Sequence, residues 1–241
     1  MDGWKKAVRM SFEILYPYVI YVCVTAGISA WMSEAGLGAS GYALLLSAVL
    51  TSIWLFGIYN RKYEVRRIPL KKVALAMALA CSACLVFNLL LLSESGVKSS
   101  REIYENGFGL QILAAGIFCP IVEELIFRGL GYRKLREILH FFPAAFVSSV
   151  LFGLYHGHLA QGIYAGGMGF LFAWLAESEN GILSPMAAHI AANLLSLALT
   201  KAGAAEWLME SGLRRAGGIG AAGVLFLLCF CLKGREDQLS W

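Results

Sequence analysis

The chain has 241 residues, 59% of them hydrophobic and only 15% charged, and its mean hydropathy is +0.66. Soluble domains carry about 25% charge and roughly 45–50% apolar residues, so these proportions exclude an ordinary water-soluble globule. The net charge of +4 is too small and too dispersed for a nucleic-acid footprint; it reads as a topology signal and as attraction to anionic lipid headgroups.

Charge is also unevenly placed. About 20 apolar residues in a helix cross ~30 Å of hydrocarbon, and lipid offers the backbone no partner outside the helix itself. Eight nearly uncharged stretches are therefore predicted as membrane-crossing helices. The first covers about 14–32, after Lys5, Lys6 and Arg9. Its apolar core exceeds the ~7–15 residues of a cleaved signal, so it reads as a retained helix. The second and third cover about 41–59 and 73–92. Asn88, in the third, is expected to hydrogen-bond between helices. The fourth, about 108–129, is expected to run on as a helix through 132–139. A short fifth stretch covers about 143–156 and a sixth 161–176. The sixth contains Gly162-x-x-x-Gly166 and Ala165-x-x-x-Gly169, a small-residue stripe that lets helices pack closely. The last two cover about 182–200 and 217–232. All six cysteines fall inside these stretches and read as small apolar residues, with no disulfide framework. The Cys81-x-x-Cys84 spacing lacks the strand-to-helix setting of a redox motif. The predicted fold class is all-α: a polytopic membrane helix bundle forming a single integral-membrane domain over 1–241.

Lys and Arg in the connecting segments set the orientation. Fourteen of the twenty fall in segments on the N-terminal side, six of them in the loop 60–72, and five fall on the other side. The twentieth, Arg128, lies within a span. This bias predicts that both termini are cytoplasmic. His140 and His158 fall at turns and read as surface residues.

An ionisable side chain at bilayer depth costs at least ~2.5–3.5 kcal/mol and is normally sheltered within the bundle. The polar groups inside the spans are therefore the natural candidates for a site: Glu123, Glu124 and Arg128 on the fourth, His156 ending the fifth, and His189 with Asn193 on the seventh. Glu124 and Arg128, Phe152 and His156, and His189 and Asn193 are each four residues apart, so each pair shares one helix face. Glu123 points roughly 100° away from Glu124. Glu123 lies 18 residues before the turn at Phe141 and His156 lies 15 after it. In an antiparallel hairpin the two reach one level, and His189, early in the seventh span, joins them. Pro120, just ahead of the acids, removes a helical hydrogen bond and is expected to free the carbonyl of Gly116.

The motifs Glu123–Gly129 ("EELIFRG"), Phe152–His156 ("FGLYH") and His189–Asn193 ("HIAAN") resemble the three motifs of the CPBP family of intramembrane proteases. That family includes the CAAX prenyl endopeptidases and bacterial relatives associated with bacteriocin processing and self-immunity. The motif-bearing core covers about 108–200. The resemblance implies hydrolysis of a peptide bond in a membrane-associated or lipidated peptide or protein, near the cytoplasmic face. It implies Glu123 as the general base for a water molecule, Glu124 as an accessory acid, and Arg128 as the group holding both carboxylates. His156 and His189 would position water or assist proton transfer, Asn193 would donate to the oxyanion, and Phe152 would wall the substrate pocket.

Glu123, His156 and His189 also make up a His2Glu set, a legitimate Zn2+ shell, although no His-Glu-x-x-His helix is present. Two chemistries stay open at this point: water held by Glu and His without metal, or water on zinc. Two other function classes also stay open. A proton-coupled carrier could use the same intramembrane Glu, His and Arg as a relay, and an immunity protein could keep the motifs for structure alone. The expected surroundings are a lipid bilayer and a membrane-bound peptide substrate, with no nucleic acid.

Overall fold

The structure, a computed structural model, describes residues 3–37, 40–91 and 107–238. Lys98 and Arg101, used in the orientation argument, lie outside these residues. All eight predicted spans are helices: α1 (Gly3–Glu34), α2 (Ser40–Lys62), α3 (Leu70–Leu91), α4 (Phe108–Arg136), α5 (Phe141–Tyr155), α6 (Leu159–Ser178), α7 (Leu183–Lys201) and α9 (Gly212–Gln238). A short α8 (Ala204–Met209), not anticipated from the sequence, joins α7 to α9. No strand occurs among the described residues.

Seven of these helices are long and apolar enough to cross a membrane. The 15-residue α5 is not; at 1.5 Å per residue it covers about 23 Å. It ends at His156 because Gly157 takes φ +73°, a left-handed turn that closes a helix at little cost only for glycine. Large apolar side chains on α1 and α9, among them Phe12, Val19, Val224 and Leu227, point outward, apolar surface of the kind that a bilayer covers. Trp4 and Trp31 are exposed near opposite ends of α1. Their separation along the helix, about 40 Å at 1.5 Å per residue, matches a bilayer with its headgroup layers, where tryptophan concentrates. The chain is a multi-pass membrane protein.

One end of the bundle is laced by ion pairs. Glu13 of α1 meets Lys134 of α4 at 2.8 Å, and Arg136 meets Glu177 of α6 at 2.7 Å. Glu179, just past α6, takes Lys233 of α9 at 2.6 Å and Lys72 of α3 at 3.9 Å, while Lys71 pairs with Glu236. Lys233 and Glu179 are buried together, and the more exposed pairs add only about 0–1 kcal/mol each. Their value is geometric, since they fix the N-terminal part of α1 and the C-terminal part of α9 at the same end.

Helix packing then brings the motif helices together. Helices α5 and α6 run closest where Gly153 faces Gly162: a methyl group on Gly153 would stand 2.6 Å from the Gly162 carbonyl oxygen. The small-residue stripe of α6 is thus a packing seam, as expected. Helix α3 packs on α7 and α9. There the sequence expectation for Asn88 needs correction, because its amide donates to Cys84 Sγ within α3 (3.2 Å). The link between helices comes from Cys84 instead, through Tyr164 on α6 (3.3 Å) and the Ala192 carbonyl on α7 (3.6 Å). Proximity of a soft sulfur one turn away keeps the amide on its own helix. All six cysteines are free.

Candidate active site

Helix α4 is not a uniform α-helix. Residues Ile112–Phe118 and Leu125–Tyr132 are π-helical, and the six residues between them, Cys119–Glu124, carry the acids. Such widened turns are rare and concentrate at functional sites. Proline accounts for part of the first one. The Cys119 N–H reaches back five residues to the Ala114 carbonyl, so in this register the missing N–H of Pro120 falls opposite Ala115. Asn193 of α7 supplies the donor, its Nδ2 lying 2.9 Å from the Ala115 carbonyl oxygen. The carbonyl left free by Pro120 is therefore that of Ala115, one residue before the Gly116 that a pure α-helix would give. Asn193 still has a second amide hydrogen.

The acids lie at the end of this frame. Glu123, Glu124, Arg128 and His189 are all buried, Glu124 completely. Glu124 Oε1 accepts two hydrogen bonds, one from Arg128 Nη1 at 3.1 Å and one from His189 Nδ1 at 2.9 Å. An ionised carboxylate can only accept, so the imidazole proton sits on Nδ1. His189 Nε2 is left with its lone pair, 3.7 Å from Glu123 Oε2. That gap is too long for a direct hydrogen bond and short enough for one oxygen atom to touch both groups.

Aromatic rings fix the remaining members. The Arg128 guanidinium lies 4.4 Å from the centre of the Phe152 ring, and 5.5 Å from that of Phe172. Cations are attracted to such ring faces, more strongly once desolvated. Phe152 meets His156 edge-on at 4.9 Å and His189 at 5.7 Å, so it is a buried platform under the cation and between the two histidines. His189 stacks on Phe172 at 4.7 Å. His156 is half-buried, and its Nδ1 lies 2.9 Å from the Phe152 carbonyl oxygen. That contact sets the tautomer as in His189, with Nε2 making no hydrogen bond among the described residues. Glu123, Glu124, Arg128, Phe152, His156 and His189 are thus one connected cluster, and Asn193 joins it through α4. His140 and His158 are exposed.

Two residues of this cluster carry no sequence signal as site residues. Phe172 looks like any apolar residue of a span. Gly169 reads from sequence as packing alone, but a methyl group there would stand 2.7 Å from Arg128 Nη2 and 3.1 Å from Phe152 Cδ1. Gly169→Ala is expected to cost about 1–3 kcal/mol by overpacking. Gly166→Ala, whose added carbon would meet only the Ser149 carbonyl at 3.7 Å, should be near neutral. Unfolding midpoints in detergent compare the two, and equal values would remove the steric argument.

For a metal ion the arrangement is a poor fit. Among the described residues no three His, Cys, Asp or Glu side chains gather closely enough to hold one.

Comparison with known proteins agrees with the motif reading. Residues 105–195 match the family described as type II CAAX prenyl endopeptidase Rce1-like. A Bacillus subtilis (strain 168) protein named "Putative membrane peptidase YdiL" is 34% identical over 119 residues, covering 42% of this chain and 49% of the relative. The chain thus spans about half the length of that curated relative. No solved structure matches. The three motifs meet on α4, α5 and α7 inside the matched stretch, and over that stretch the chain resembles the CAAX prenyl endopeptidases of the CPBP family.

Proposed function

We propose that the chain is an intramembrane endopeptidase in which Glu123 activates water to hydrolyse a peptide bond of a membrane-associated or lipidated peptide, close to the cytoplasmic face. The observation that carries the reading is the 3.7 Å gap between Glu123 Oε2 and the bare Nε2 of His189. A water molecule there donates one hydrogen to each group and turns a lone pair toward the substrate carbonyl. As the oxygen attacks, Glu123 takes one of its protons. The carbonyl oxygen becomes an oxyanion, and the second amide hydrogen of Asn193 is the donor for it. Collapse breaks the C–N bond, and Glu123 returns its proton to the leaving amine with His156 Nε2 as the assisting group. Glu124 and Arg128 touch no reacting atom here. They hold His189 in the tautomer and orientation the step needs.

The cytoplasmic placement rests on the Lys and Arg bias, with the ion-paired end of the bundle as the inner face. Comparing peptides released by membranes carrying the wild type and Glu123→Gln tests the reading. A set of cleavage products missing from the variant is expected. Identical profiles would overturn it, and loss of proton-dependent uptake without any missing product would favour a carrier. Activity is further expected to survive chelation, with zinc well below one atom per chain in the purified protein. Stoichiometric zinc and chelator-sensitive cleavage would sink the metal-free chemistry.

A further inference from the structure

A polar pocket of about 480 Å3 lies apart from the acids, at the ion-paired end of the bundle. Tyr63 just past α2, Tyr132, Arg133 and Arg136 of α4, and Glu177 with Asn180 at the end of α6 line it. Arg133 follows Glu124 by nine residues, so more than two helical turns separate the pocket from the acids. Most of the charge there is already matched. Arg136 grips Glu177 through Nε at 3.1 Å and Nη2 at 2.7 Å, and Tyr132 donates to the same carboxylate at 2.6 Å. Glu137, also on the lining, takes Lys134 at 2.8 Å. Arg133 is the exception. Among the described residues no carboxylate stands at salt-bridge distance from it, and its hydrogen bond there runs from Nη2 to the Asn180 carbonyl oxygen at 3.1 Å.

The Arg133 guanidinium is nevertheless held in place. It lies 4.8 Å from the centre of the Tyr63 ring and 5.6 Å from that of Tyr59, and these two rings pack on each other at 5.4 Å. A guanidinium carries five N–H donors in a rigid fork. Fixed by two rings and one carbonyl, it still presents donors whose geometry suits the oxygens of a phosphate. Depth names the source of that phosphate. The apolar part of α2, Gly41 to Tyr59, covers about 28 Å at 1.5 Å per residue, close to the ~30 Å of bilayer hydrocarbon. Tyr63 stands one turn beyond Tyr59, which puts the pocket at the level of the headgroups. The exposed Arg61, Lys62, Arg66 and Arg67 flank Tyr63 in the chain and draw anionic lipid to the same face.

We propose that the Arg133 pocket binds the phosphate of an anionic phospholipid headgroup. The Tyr59 and Tyr63 rings steady the guanidinium, and its remaining N–H groups meet the phosphate oxygens. A positive charge without a carboxylate of its own selects a headgroup of net negative charge over a zwitterionic one, whose cation offsets the attraction. The site does not depend on the proposed hydrolysis.

The test titrates phosphatidylglycerol or phosphatidylcholine into the delipidated protein in detergent and counts bound lipid by mass spectrometry of the intact complex. The wild type is expected to hold phosphatidylglycerol about 10-fold more tightly than phosphatidylcholine, the scale of one charge-assisted contact. Equal retention of the two lipids overturns the proposal before any variant is made. Arg133→Gln should erase the preference, and a preference it leaves unchanged overturns the site. Arg133→Lys should keep only part of it, since an ammonium lacks the fork. Arg235→Gln removes an exposed charge in the last turn of α9, at the same end of the bundle and off the pocket lining; the preference should survive it. An equal loss in Arg235→Gln would reduce the effect to diffuse attraction by the whole face and overturn the site. Millimolar inorganic phosphate separates the two sources of the same chemistry. The lipid is expected to stay bound, and its displacement would hand the pocket to a soluble phosphate and overturn the lipid assignment.

Discussion

Glu123→Gln is expected to lower peptide-bond cleavage by about 10²–10⁴-fold, the usual contribution of a positioned general base, while the folded state is kept. The two halves of this expectation have different causes. Gln fills the same space, but its amide cannot accept a proton from water at neutral pH. Stability should hold or rise, because a buried charge with no cation of its own is costly. Arg128 pairs with Glu124, and among the described residues no Lys or Arg stands at salt-bridge distance from Glu123, whose neighbour there is the His189 imidazole at 3.7 Å. Cleavage rate and unfolding midpoint, measured on one preparation, check both at once. A variant that cleaves within a few-fold of the wild type would remove Glu123 from the reaction. One that loses cleavage because it no longer folds would leave the base unassigned and contradict the stability argument.

Particular residues show what the sequence makes legible. The spans are, because hydrocarbon thickness demands both length and apolarity; even α5 was recognisable as the short one. The charged members of the site are legible for the complementary reason, since Glu123, Glu124 and Arg128 stand out in a stretch where charge is costly. Their partition is not. The four-residue spacing predicts the Glu124–Arg128 pair, but nothing in it says that Glu124 also captures His189 and leaves Glu123 facing the open lone pair. The π-helical turns are equally hidden. They depend on which backbone carbonyl loses its donor, and on Asn193 arriving from another helix to supply one at Ala115. Gly169 illustrates a third case. A glycine that makes room for a guanidinium looks like a packing glycine until the neighbouring helix is known.

Arg128→Met is expected to destabilise the protein by about 3–5 kcal/mol, the cost of leaving one member of a buried ion pair without the other. Arg128 and Glu124 are both fully buried and 3.1 Å apart, so methionine, although close in length, strands a carboxylate that keeps only the His189 hydrogen bond. Lysine should not rescue it. A point-charge ammonium lacks the flat face that the guanidinium lays against Phe152 at 4.4 Å and Phe172 at 5.5 Å, and so the exchange is not conservative at a stacked site. The double variant Arg128→Met/Glu124→Gln should recover most of the stability, because removing both charges also removes the stranded one. It should not recover activity: a Gln side chain at 124 no longer draws the imidazole proton to Nδ1 of His189, and the lone pair facing Glu123 loses its fixed place. Chemical unfolding in detergent micelles for the wild type, Arg128→Met, Glu124→Gln and the double variant, read as a double-mutant cycle, separates the outcomes. Additive effects would mean that the pair does not act as a unit, and restored cleavage in the double variant would mean that Glu124 does not orient His189.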